Sequence, residues 1–130
     1  MKARLILGAK EEGESALVEI DGIAYECMDC LGYSSLSIAN GDNFFANFSW
    51  INSEDQEESW EEIFSGNPDL ELKMVPLGGW SYRAYGKVVS IDPPLVNCGI
   101  LLPSPIATHD PTVVGAYLAF NIFRLDVYAA

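Results

Sequence analysis

Apolar and polar residues alternate along much of this chain, with the period of two that is typical of half-buried β-strands. Runs 16–20 and 23–27 alternate in this way and are separated by Asp21-Gly22. Asp-Gly between two alternating runs is a strong hairpin signal, because both residues tolerate a positive φ. A second hairpin is predicted around the turn 40–42, between a short run at 36–38 and a longer strand over 44–50.

The second half of the chain alternates as well. Strands are predicted over 69–74, 80–84, 87–91 and 95–102. The last run, 113–128, is long for one strand, and its phase changes: the apolar residues have even numbers up to Ile122 and odd numbers from Phe123. Such a change predicts a bulge or a sharp bend near Ile122, as in a strand that serves two faces, or a part of the run that is buried on both sides.

One segment, near 53–65, has the pattern of an amphipathic helix. Ser53 is a candidate N-cap, and Gln56 completes a capping box three residues later. Trp60, Ile63 and Phe64 form a narrow apolar stripe, which predicts packing of this side against the core. The sequence Gly66-Asn67-Pro68 then predicts the end of the helix.

These elements predict a mainly β fold, α+β by strict count, in one domain over 1–130. We expect an antiparallel barrel or sandwich of about 7–10 short strands. A single helix offers only one crossover, which disfavours parallel βαβ units. One helix placed between strands resembles the arrangement of the OB-fold, although the predicted strands exceed the five of that barrel. Architecture of this kind implies no function.

The charge of the chain narrows the possible partners. Nineteen acidic and seven basic residues give a formal net charge of -12. This argues against binding to nucleic-acid phosphates or to an anionic membrane surface, both of which need clustered Lys and Arg. The charge fits either simple solubility or a basic protein partner. No signal peptide or membrane-spanning run is evident, and three cysteines do not form a disulfide scaffold, so we expect a cytoplasmic protein.

The most acidic surface is expected on the predicted helix. Its carboxylates can form a solvated face, a docking face for a basic partner, or a metal or catalytic site. The Gly-containing metal loop that would favour the last reading is missing. The candidate partner-binding residues are Glu54, Asp55, Glu58, Glu61 and Glu62.

A zinc site is an alternative interpretation of the cysteines. Cys27 and Cys30 have the C-x-x-C spacing that can hold one zinc ion, and Cys98 and His109 could complete four ligands. No second close pair exists, and Cys98 lies in an apolar run where a free thiol packs as a small hydrophobic group. We therefore expect no cofactor, with zinc as the alternative.

Catalysis has one weak candidate, the pair His109 and Asp110 in a Pro-rich loop. A His beside a carboxylate can act as a general base, but no nucleophile motif accompanies it. We therefore expect a non-catalytic protein rather than a hydrolase-like or metal-dependent enzyme.

The leading hypothesis is a small acidic interaction protein. A specific version of it is an inhibitor or immunity-type protein that neutralises a basic toxin or nuclease. A small-ligand-binding β-barrel is the alternative. Aromatic residues bear on both, since Trp50, Trp60 and Trp80 would form a stacking surface if two or more were exposed together. The apolar C-terminal third could also supply a homo-oligomer interface.

Overall fold

The computed structural model describes residues 1–11, 13–33, 37–52 and 57–130. Within these residues the chain forms ten strands and one short helix, which confirms the predicted mainly β class. The strands are β1 (Lys2–Leu7), β2 (Ser15–Ile20), β3 (Ile23–Asp29), β4 (Asn43–Ile51), β5 (Lys73–Gly78), β6 (Ser81–Ile91), β7 (Pro94–Asn97), β8 (Leu101–Pro103), β9 (Tyr117–Ile122) and β10 (Arg124–Ala129), and the helix is α1 (Trp60–Ser65).

Five of the strands close into a barrel in the order β1-β2-β3-β10-β4. β2 and β3 form the predicted hairpin, with φ of 51° at Asp21 and 81° at Gly22. One pair departs from the expected antiparallel arrangement, because β10 runs parallel to β3, with Asp126 opposite Met28. The order resembles that of an OB-fold barrel, and the strands beyond five belong to a second sheet.

The second sheet is inserted between β4 and β10. Its strands β5, β6, β7 and β8 follow one another in the sheet, and β9 also pairs with β6. Since residues 82–85 of β6 pair with both β5 and β9, these two strands lie on opposite edges of β6. Gly86 lets the end of β7 approach β6 closely, because a Cβ there would lie 2.5 Å from Cys98 Sγ and 2.6 Å from the Asn97 carbonyl oxygen.

A bend at Phe123 carries the chain from the second sheet into the barrel. β9 ends at Ile122 in the second sheet, and β10 begins at Arg124 in the barrel. The phase change in the sequence is thereby explained, and the predicted bend near Ile122 is confirmed. Phe123 itself lies between the two strands and is exposed.

One hydrophobic core joins the barrel and the second sheet. The barrel interior is filled by side chains such as Val18, Leu125 and Val127, each without measurable exposure. Tyr82 of β6 reaches across to β3, where its hydroxyl donates to the Glu26 carbonyl (2.7 Å) and accepts from the Glu26 N–H (2.8 Å). Burial is the main cause that raises the pKa of this phenol.

Three of the predicted strands are wrong. The predicted strand 95–102 is a hairpin, because β7 and β8 pair antiparallel, with Val96 opposite Leu102. Residues 37–39 are not extended in a sheet, and β4 pairs with β1 and β10 instead of forming the second hairpin. Of the predicted strand 69–74, only Lys73 and Met74 belong to β5. The buried Asn67 side chain binds both the N–H (2.8 Å) and the carbonyl (2.9 Å) of Glu71, which holds 67–71 as a turn.

The helix is shorter than predicted. It begins at Trp60 with Ser59 as N-cap, and residues 57–59 are not helical. Ser59 Oγ accepts from the Glu62 N–H (3.2 Å) and donates to the Glu62 carboxylate (3.1 Å). Ser59-x-x-Glu62 thus has the sequence of a capping box, with the Glu62 carboxylate bonded to the Ser59 hydroxyl. It competes with the predicted box, whose residues 53 and 56 lie outside the described residues. The end at Gly66 is as predicted.

Candidate functional site

A groove of about 370 Å³ lies where β4, α1 and β9 meet. We call it the Trp groove. Aromatic and apolar side chains form its walls, and carboxylates stand among them. Its lining includes Trp50, Glu57, Glu58, Trp60, Pro105 and Phe120.

Trp50 forms the fixed wall of the Trp groove. Its indole N–H donates to the Pro103 carbonyl (2.7 Å), which ties β4 to the end of β8. The Trp50 ring also packs on buried Phe120, with the ring centroids 4.8 Å apart. A ring held by both a hydrogen bond and an aromatic contact keeps its position without a ligand.

Trp60 forms the exposed wall. The sequence stripe predicted that this ring packs in the core, but 49% of the residue is accessible to solvent. The helix starts later than predicted, which places Trp60 at its first residue. Ile63 is the buried member of the stripe, at 5% exposure.

Carboxylates lie beside Trp60. Glu57, Glu61 and Glu62 are exposed, and we call these three residues the acidic flank. Glu62 is oriented by the capping box with Ser59. Of the partner-binding residues predicted from the sequence, Glu61 and Glu62 are therefore on the surface as expected, whereas Glu54 and Asp55 lie outside the described residues.

Glu58 requires a correction, because its carboxylate points into the protein. Oε2 accepts a hydrogen bond and ion pair from Arg83 Nη1 (2.9 Å), and Oε1 accepts from the Asn121 N–H (2.7 Å). The side chain is 12% exposed. Glu58 fastens the segment before α1 to the second sheet instead of offering its charge to a partner.

Asn67 fastens the other end of the helix. It is 4% exposed, and besides the turn at 67–71 its amide donates to the carbonyls of Gly86 (3.4 Å) and Leu118 (3.2 Å). These contacts connect the chain after α1 to β6 and β9. Both ends of the helix are thus anchored, which fixes the position of the acidic flank relative to the Trp groove.

The predicted zinc ligands are not brought together. Cys27 lies in β3 inside the barrel, and Cys98 lies in the second sheet against Gly86. Cys30 is buried at the end of β3, whereas His109 is exposed on the loop after β8. In the described part of the chain, no group of three His, Cys, Asp or Glu side chains is placed to hold a metal ion.

The environment of the thiols also disfavours reactivity. Burial, followed by the nearby carboxylates Asp29 and Asp126, raises the pKa of Cys27. Burial raises the pKa of Cys98 to about 12. A thiol with a raised pKa is protonated at neutral pH and is therefore a poor nucleophile and a poor metal ligand.

His109 and Asp110 are both exposed, and Asp110 has a local role. Its carboxylate accepts from the Thr112 N–H (3.0 Å) and the Thr112 hydroxyl (2.7 Å), which caps a short 3-10 turn over 111–113. These hydrogen bonds lower the pKa of Asp110. The geometry on this loop is that of a turn cap.

A second cavity, of about 780 Å³, opens at one end of the barrel between the β1–β2 connection and residues 38–40. Leu5 and Leu31 contribute apolar surface, and the buried Asp29 carboxylate lies among them. That carboxylate accepts from the N–H groups of Ala9 (3.0 Å) and Leu31 (2.8 Å), so both of its oxygens are already hydrogen-bonded to the backbone.

Sequence reasoning missed the contacts that build the Trp groove. The Glu58–Arg83 pair spans 25 residues and the Trp50–Pro103 hydrogen bond spans 53, so no local pattern indicates either. The one usable signal was the second capping box at Ser59-x-x-Glu62, which would have placed Trp60 at the helix start.

Comparison of the chain with models of protein families, with curated proteins and with solved structures gave no match. Among the described residues, no helix has the length and apolar character needed to cross a membrane. Function is therefore argued from the site alone.

Proposed function

We propose that this chain is a small, acidic, non-catalytic interaction protein that binds a basic protein partner through the acidic flank and the Trp groove. The observation that carries the proposal is an exposed Trp60 with three exposed carboxylates close in sequence, Glu61 and Glu62 on the anchored helix and Glu57 just before it. Exposed tryptophan is typical of interface centres, and a rim of charge sets the choice of partner.

The charge distribution supports a protein partner over a nucleic acid. OB-fold barrels bind oligonucleotides on the face of their second and third strands, with basic and aromatic side chains. The corresponding face here includes the carboxylates Glu19 and Glu26, which would repel phosphates. With a net charge of -12, long-range attraction would instead speed association with a cationic protein.

A specific version of the proposal is an inhibitor that neutralises a basic toxin or nuclease. Such a protein needs no catalytic group, and its association gains from charge complementarity. The version rests on size, acidity and the exposed flank.

The experiment uses a synthetic fluorescent peptide of alternating arginine, glycine and serine, with binding followed by anisotropy. Reversing Glu57 and Glu61 to Lys should weaken binding by about tenfold or more, because both side chains are exposed beside the groove. Binding should also weaken steeply between about 50 and 300 mM salt.

A matched control reverses Asp69 and Glu11 to Lys, which changes the net charge equally at exposed positions away from the groove. This variant should lose less than about threefold in affinity. Equal losses in the two variants would show that only the net charge matters, and the proposed surface would be wrong.

A small-ligand function has its own supporting observation, the cavity of about 780 Å³ at the barrel end. The barrel interior is filled, so a ligand would bind at the mouth, against Leu5 and Leu31. Screening small molecules by NMR tests this alternative: shifts concentrated at these residues would support it, and shifts confined to the Trp groove would contradict it.

A further inference from the structure

We infer that the Trp groove is a pocket for one arginine or lysine side chain of the partner. This inference rests on the proposed function and deepens it, because it names the chemical group that is recognised. Pockets of a few hundred Å³ with apolar walls and a few polar groups are typical of specific recognition. The groove of about 370 Å³ has this composition.

The walls suit the aliphatic stem of a long basic side chain. Trp50 is half-buried and held by Phe120 and the Pro103 carbonyl, and Trp60, at the start of the helix, has about half of its surface exposed. Both are lining residues of the same groove. Among aromatic rings, the indole of Trp binds a cation on its face most strongly. The methylene groups of an Arg or Lys side chain can pack between the two walls.

The charge at the groove suits the cationic head. Glu57 lines the groove and is exposed, so its carboxylate is available to a guanidinium or ammonium group. Glu61 and Glu62 add negative potential from the adjoining turn of the helix. An apolar or acidic side chain would leave these charges without a partner, which is unfavourable at an interface.

Arg83 shows the same chemistry within the chain. Its guanidinium binds the Glu58 carboxylate from the sheet side at 2.9 Å and lies 5.8 Å from the centre of the Tyr85 ring. The combination of one carboxylate and one aromatic face already holds an internal guanidinium here. Glu57 and Trp60 supply a carboxylate and an aromatic ring among the residues that line the groove.

A contrast inside the molecule supports the choice of occupant. A cavity of about 500 Å³ between β4 and β8 is lined by Met1, Phe48 and Leu101 among others, and none of the described residues that line it carries a carboxylate. That cavity has no charge to complement a cation. Only the groove with both indoles and carboxylates is proposed as a cation pocket.

The test uses the arginine peptide described above and the same peptide with citrulline in place of arginine, which keeps the shape of the side chain and removes its charge. Binding is followed by NMR through the indole N–H signals of the three tryptophans. We expect the arginine peptide to shift the signals of Trp50 and Trp60. Trp80, whose indole N–H donates to Ser15 Oγ (2.9 Å), is not among the lining residues of the groove and should not shift.

Trp60→Ala should weaken binding of the arginine peptide by about tenfold or more. The matched control is Leu72→Ala, which removes an exposed apolar side chain (45% exposed) that does not line the groove. This control should bind like the unchanged protein. Circular dichroism and melting temperatures of both variants check that a lost affinity is not lost folding.

The outcomes separate the two proposals. Binding that survives Trp60→Ala but is lost on reversal of Glu57 and Glu61 would overturn the pocket and leave the proposed function standing. Equal binding of the citrulline peptide would overturn the cation pocket as well. If no basic peptide binds at either salt concentration, both the pocket and the proposed function are wrong.

Discussion

The pair of Glu58 and Arg83 makes the sharpest prediction about stability. Their side chains are 12% and 24% exposed, and the Nη1–Oε2 distance is 2.9 Å. A hydrogen bond between charged groups contributes about 1.5–3 kcal/mol when solvent is largely excluded. Because Arg83 keeps part of its hydration, we expect a coupling energy near the lower end, about 1.5–2 kcal/mol.

A double-mutant cycle measures this coupling by urea unfolding. Glu58→Gln removes the charge but keeps an oxygen for the Asn121 N–H, and Arg83→Met removes the guanidinium but keeps a long apolar stem. The cycle isolates the pair because losses that do not involve the other partner, such as the hydrogen bond from Arg83 to Asn121 Oδ1 (3.1 Å), cancel.

The chain provides a matched control, since Arg4 and Glu19 form an ion pair of the same type on the barrel surface. Their distance is 3.4 Å and their side chains are 47% and 34% exposed. Exposed pairs couple by about 0.2–1 kcal/mol, so Arg4→Met with Glu19→Gln should give a clearly smaller value. Equal coupling in the two cycles would refute the argument that Glu58 is an internal anchor.

Three further predictions concern the framework around the site. Tyr82→Phe should destabilise the protein by about 2 kcal/mol in urea unfolding, because the Glu26 N–H and carbonyl lose their shared partner; a loss below about 0.5 kcal/mol would contradict this. Asn67→Ala should cost about 3 kcal/mol and raise the protease sensitivity of the chain after α1, and unchanged sensitivity would refute the anchoring role. Burial raises the pKa of Cys98 from 9.0 to about 12, so this thiol ionises at lower pH in the unfolded chain than in the folded one. The free energy of unfolding should therefore fall as the pH rises above about 9. Cys98→Ala should show a smaller decrease of that free energy with pH, which checks the assignment.

Much of the fold could be predicted because it depends on local signals. The hairpin at Asp21-Gly22 follows from two residues that accept positive φ, as both do here. The bend before β10 follows from the change of the apolar residues from even to odd numbers. Such a change means that the side chains of the other parity face the core after the bend. These patterns are properties of the backbone and need no distant partner.

Other elements were not predictable, because a distant contact decides them. Residues 69–72 alternate like a strand, yet the side chain of Asn67 bonds the backbone of Glu71 and makes a turn there. The parallel pairing of β3 with β10 joins residues about a hundred positions apart. Periodicity indicates which face is buried but not which strand lies alongside.

The candidate site could be predicted only in part. The acidity of the helix and the possible exposure of tryptophan are visible in the sequence, whereas the inward direction of Glu58 depends on Arg83, which lies on another strand. The position of Trp60 depended on which of two capping boxes starts the helix, and both satisfy the same rule.

The placement of the basic residues argues for one direction of approach by a cationic partner. Three of the seven, Lys73, Arg83 and Lys87, lie on β5 and β6 of the second sheet, and each stands within 6 Å of the ring centre of Tyr85 or Tyr117. Lys73 and Arg83 also pair with carboxylates, so acidic charge near this sheet face is locally compensated. No ion pair among the described residues compensates the acidic flank in the same way. If the proposed function is correct, we expect a cationic partner to approach from the side of the acidic flank.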